Sequence, residues 1–205
     1  MQKQLKTQKT PIQTVKTHNM KSLVKILAAI LIVIFTIGMV GCKTLSDEEA
    51  KGIFNTLVKE SYELNVIYFG DGLKPQVTEE DSLYIPVQGS ENYTAKLPLV
   101  ERTREIFSTD YASDIIKTAF EGEMGVVGSS AIYARYIEYE GYLSVRRDID
   151  GIEVAKYDYS TTEIIKVSNR FIIAKIKTVN LEKNEYVEIT LINEDNGWRI
   201  DSATY

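Results

Sequence analysis

The sequence predicts an α+β domain, with N-terminal helices packed on a curved antiparallel β-sheet. Three observations predict it. The hydrophobic period changes from helical to alternating near residue 131, turn-forming residues punctuate the second half, and Cys42 is the only cysteine, so packing rather than disulfides must hold the domain.

Ser46-Asp-Glu-Glu49 reads as a capping box, and its acids suit the positive end of a helix. Ala50, Ile53, Phe54, Leu57, Ser61, Leu64 and Tyr68 follow at helical spacing, with Gly70 and Asp71-Gly72 as the stop, which predicts a helix over 46–69. Its apolar stripe is expected to cover a sheet. Residues 83–98 read as a loose hairpin or loop around Gly89-Ser-Glu-Asn92. Pro98 suits a first helical turn, and Leu99, Val100, Thr103, Ile106 and Phe107 predict a helix over 98–107. Ser108-Thr-Asp110 breaks and recaps that run. Tyr111, Ala112, Ile115, Ile116, Ala119 and Phe120 then extend a third helix over 110–121, ending at Gly122.

From there the pattern is that of strands, mainly within 131–204. Runs at 131–139, 142–147, 161–167, 171–178, 186–192 and 198–204 are rich in Ile, Val, Tyr and Thr. Glu140-Gly141, Asp150-Gly151, Ser168-Asn169, Asn184 and Asn196-Gly197 separate them. Val187, Ile189 and Leu191 alternate with Glu188 and Thr190, and Ile172, Ala174 and Ile176 with Lys175 and Lys177. Half-buried antiparallel strands joined as a meander are expected. Helices followed by a meander resemble the cystatin-like and NTF2-like superfold, in which a curved sheet wraps a long N-terminal helix.

The N-terminal 41 residues follow a different logic. Residues 26–41 form an uncharged apolar run behind Lys21 and Lys25, shorter than the roughly 20 residues of a spanning helix, with Asp47, Glu48 and Glu49 beyond it. This is a cleaved signal pattern. Met39-Val40-Gly41-Cys42 resembles the bacterial lipobox, with Met in place of the usual Leu. The resemblance implies cleavage between Gly41 and Cys42, a diacylglyceryl thioether on Cys42 and acylation of the new amine, and hence a stable anchor to the outer face of the membrane. The polar, basic residues 1–19 sit oddly before a signal, and a start at Met20 gives a more ordinary one.

Residues 42–205 make one domain of a size that supports a real core. Removing the six lysines of residues 1–41 from a net charge of −5 leaves −11. Such a field disfavours nucleic acid and anionic polymers and favours a basic protein partner. The only histidine, His18, lies before the signal. The mature domain therefore excludes Ser-His-Asp and Cys-His catalysis and zinc sites built on His or Cys. A non-enzymatic protein without cofactor or metal is expected. All thirteen tyrosines follow residue 41. They suit recognition surfaces, and Tyr also replaces Phe in half-exposed strands.

Candidate sites are few. Gly122-Glu-Met-Gly125-Val-Val-Gly128-Ser-Ser130 matches neither GxGxxG nor a P-loop and reads as a connector or a partner-contact loop. Asp148-Ile-Asp150-Gly151-Ile-Glu153 departs from an EF-hand, whose glycine is sixth and whose twelfth residue is Glu; here that residue is Tyr159, and turn chemistry explains the acids. Glu138 and Glu140 flank Tyr139 and could share a strand face as glycosidase carboxylates do, but they abut a turn and read as a solvated strand end. Partner contact is assigned to Glu121, Glu123, Met124, Tyr139 and Tyr142.

The ending GWRIDSATY places Trp198 and Ile200 towards a core, with Arg199 and Asp201 outward. Together with VIYFGDGL, REIFSTDYA and ARYIEYEGYLSV, it resembles the DL-endopeptidase inhibitor (IseA-like) family of Gram-positive bacteria. That resemblance implies a protein that blocks NlpC/P60-type cell-wall endopeptidases, and it carries no inhibitory residues onto this chain. Lipid anchoring departs from the freely secreted type. The alternative expectation is a module that binds a small apolar or peptide ligand between helix and sheet.

Overall fold

Ser46 opens the first helix, α1 (Asp47–Tyr68), with the reciprocal bonds of a capping box. Its side chain accepts from the Glu49 N–H, and the Glu49 carboxylate accepts from the Ser46 N–H at 3.0 Å. The computed structural model describes residues 45–78, 81–122, 133–180, 185–194 and 197–205, all within the unit Thr44–Tyr205. Among these residues the order is α1, β1 (Tyr84–Pro86), α2 (Lys96–Ile106), α3 (Thr109–Glu121), β2 (Tyr136–Tyr139), β3 (Tyr142–Arg146), β4 (Tyr157–Val167), β5 (Phe171–Thr178), β6 (Tyr186–Glu194) and β7 (Gly197–Ile200). The fold is α+β.

The helices match their expected spans to within two residues, and Ser108 caps α3 through Tyr111 N. The strands depart from a single meander. β4, β5, β6 and β7 form a four-stranded antiparallel meander, whereas β2 and β3 join β1 in a separate sheet of order β1-β3-β2. The reason lies in 147–156, which is a crossing connection rather than a hairpin turn at Asp150-Gly151. Ile152 N donates to Phe69 O, Gly151 presses against Gly70, and the Asn180 side chain accepts from Lys156 N and donates to Val154 O. Pinned to the end of α1, this segment carries the chain past the first sheet. Residues 84–86 likewise pair with β3, far along the chain, instead of closing a local hairpin.

The core lies between α1 and the four-stranded sheet. Ala50, Phe54, Val58 and Leu64 of α1 are buried, as are Ile172, Ala174, Ile176, Ile189, Leu191 and Ile200 of the sheet. Fully burying each large side chain of this set contributes about 1.5–3 kcal/mol. The buried side chains of the two layers meet across the helix–sheet interface. Trp198 was expected in this core and is instead half-buried at its edge, beside Leu45, Ile53 and Leu57. Polar groups inside are tied to α1: Asn65 donates to Thr204 O at 2.7 Å, and the Tyr68 hydroxyl pairs with Thr103 Oγ1 at 2.7 Å.

Candidate functional site

The β2–β3 hairpin turns on Glu140 and Gly141, both with positive φ (50° and 81°), the left-handed pair of a type I′ turn. Glycine accepts this backbone without strain, and the turn fixes the register that sets Tyr139 opposite Tyr142. Tyr139 and Tyr142 are 70% and 68% exposed. Behind them Tyr136, Leu143 and Val145 are buried, and the Tyr136 hydroxyl donates to Ile67 O while accepting from Leu73 N. The two tyrosines therefore project from an anchored support. They border a hollow of about 270 Å³ shared with Gln76, Pro86 and Ser144.

The Glu138 carboxylate accepts from Lys96 N at 2.9 Å, serving the N-terminus of α2, where Ala95 has no side chain to do so. Its role is structural, and Glu140 stands on the turn itself. Glu121 is the last residue of α3. Glu123 and Met124, like Gly41 and Cys42, lie outside the described residues.

Two of the acids of 148–153, Asp148 and Glu153, have separate partners. Asp148 forks onto Arg146, at 2.5 Å from Nε and 3.0 Å from Nη2, and Glu153 accepts from Asn180. The Arg146 guanidinium holds the Asp148 carboxyl below the usual carboxylate range and stands 4.1 Å from the centre of the Tyr133 ring. Among the described residues no three His, Cys, Asp or Glu side chains converge as metal ligands would. No described helix is long and apolar enough to cross a membrane.

A second concavity was not foreseen from the sequence. Between the end of α1, one face of α3 and the chain at Arg135 lies a cleft of about 680 Å³. Tyr68, Phe69, Tyr111 and Tyr205 contribute rings, and Phe69 and Tyr205 stack with centroids 3.7 Å apart. Arg135, 6% exposed, donates to the Tyr68 and Gly70 carbonyls and so serves the negative end of α1. The one sign of it in the sequence is a cation inside the otherwise aromatic and aliphatic run Tyr133-Ala-Arg-Tyr-Ile137.

No family model and no curated protein matches the chain. The functional reading therefore rests on residues and geometry.

Proposed function

We propose that this protein is a non-catalytic, lipid-anchored component of the extracytoplasmic membrane face that binds and blocks a peptidoglycan DL-endopeptidase of the NlpC/P60 type. The observation that carries this reading is the β2–β3 hairpin, whose left-handed turn holds Tyr139 and Tyr142 exposed on a buried footing. Aromatic side chains on a pre-ordered support bind with little ordering cost, and tyrosine supplies both area and a hydroxyl. The buried apolar side chains beneath β4–β7 agree with a body that acts through its surface. The long helix on a meander sheet supports grouping the fold with the cystatin-like and NTF2-like proteins, with the three-stranded sheet as an addition. In this reading Cys42 carries the lipid, Glu121, Glu123 and Met124 are further candidates for partner contact, and the mature charge of −11 favours a basic enzyme.

The test is clearance of purified peptidoglycan by a recombinant NlpC/P60 endopeptidase, with and without residues 43–205. Dose-dependent suppression is expected, and the Tyr139→Ala/Tyr142→Ala double variant loses it while melting as the parent does. Several such enzymes left untouched by the folded domain would sink the reading. Cys42→Ser in the full chain is expected to move the protein from the membrane fraction to the soluble one, as fractionation would show.

A further inference from the structure

The cleft beside Arg135 carries a second, independent binding reading. Three buried side-chain polar atoms make no well-formed hydrogen bond among the described residues: Asn65 Oδ1, the Tyr111 hydroxyl, which has only the Tyr205 phenol beside it, and Arg135 Nε, which has only the Tyr136 hydroxyl beside it. Two of these three residues line the one cleft. Orphaned buried polar groups cost free energy, and in native proteins they mark places where another molecule completes the bonding.

The guanidinium is the stronger signal. It can donate five hydrogen bonds; its two well-formed ones go to main-chain carbonyls of α1 and its exit, and the Tyr136 hydroxyl lies beside it. No carboxylate pairs with it among the described residues. A buried cation without a counter-charge favours an anion that reaches it. Two acids share the lining. Asp148 is already matched by Arg146, and Asp114 stands exposed on α3, where water screens it. The remaining wall is apolar or aromatic: Phe69 stacked on Tyr205, with Tyr111, Ile115 and Ala119 of α3. Such a site, mostly apolar with a few converging polar groups, has the make-up of a small-molecule site.

We propose that this cleft binds a small carboxylate with an aromatic or apolar body, the ring lying among Phe69, Tyr111 and Tyr205 and the carboxylate accepting from Arg135 and the Tyr111 hydroxyl. This assignment stands apart from the endopeptidase reading, and either can fail alone.

The test uses three probes with the same ring and chain but different charge: phenylpropionate, phenylpropanol and phenylpropylamine. Residues 43–205 contain the whole described unit and its core, and a cooperative melt establishes their fold before titration. Saturable NMR shifts are expected at Ile115, Ala119 and Tyr111, with phenylpropionate bound about tenfold more tightly than the alcohol and the amine weakest. Tyr111→Phe keeps the shape and removes the hydroxyl. It is expected to weaken phenylpropionate roughly threefold to tenfold, while the melting temperature holds or rises. Arg135→Gln is expected to bring phenylpropionate down to the level of the alcohol; if that variant does not fold, Tyr111→Phe and the charge series decide alone. Equal affinity for the three probes, tightest binding of the amine, shifts confined to other surfaces, or no saturable shift with any probe would each overturn the proposal.

Discussion

At Gly151 the connection between the two sheets passes so close to Gly70 that a Cβ would overlap the Gly70 carbonyl. Backbone lies on the other side, so no side-chain rotation relieves the clash. Gly151→Ala is expected to destabilise by about 1–3 kcal/mol, as overpacked sites do, and to lower the melting temperature. Gly52 is its opposite. It sits inside α1 with nothing within 4 Å of the position a Cβ would take. Gly52→Ala should stabilise by about 0.5–1 kcal/mol through helix propensity alone. Thermal melts of both variants check the pair, and equal shifts would refute the close approach.

Among the elements, the helices differ in how their first turns are satisfied. α1 caps itself through Ser46 and Glu49, residues three apart. Ser46→Ala should cost about 1 kcal/mol, read as a lower urea midpoint with an unchanged slope. α3 is capped by Ser108, whose hydroxyl also bonds Asp201, while Glu194 accepts from Thr109. α2 depends on Glu138 from another element. Glu138→Ala therefore loosens the contact between α2 and the three-stranded sheet, and amide exchange in the first turn of α2 should rise relative to α3. Equal exchange in both helices would show that the cap contributes nothing.

For the molecule as a whole, charge and buried phenols set the response to solvent. If the acidic surface steers a basic partner, the association rate falls as salt rises, whereas dissociation changes little. A rate unchanged between low and high salt would remove the steering part of the proposal. In alkali the sign follows from burial, which holds Tyr68, Tyr111, Tyr136 and Tyr157 neutral and raises their pKa values, that of Tyr157 to about 12. Folded values above the unfolded value of about 10 mean that the folded state keeps protons the unfolded state would lose. The stability they contribute is complete below about pH 10 and is lost as pH rises through the folded values. Part of the phenolate absorbance should thus lag and appear together with loss of the circular dichroism signal. Smooth ionisation of all thirteen tyrosines near pH 10 in an intact fold would contradict it.

What the sequence by itself determined was local: the capping box at Ser46, the recapping at Ser108, the alternation of β5 and β6, and the Glu140-Gly141 turn that bears the exposed tyrosines. Each rests on residues a few positions apart, within reach of period and turn chemistry. Only the tertiary structure decided the rest. A run of strand-like segments carries no mark of where one sheet ends, because pairing of β1 with β3 and the contact of Gly151 with Gly70 join distant parts of the chain. Trp198 stops at the edge of the core because alternation gives its side but not its depth. The cleft was hidden for the same reason. Arg135 meets the Tyr68 carbonyl across 67 residues, and only folding brings that cation to the rings of Phe69, Tyr111 and Tyr205.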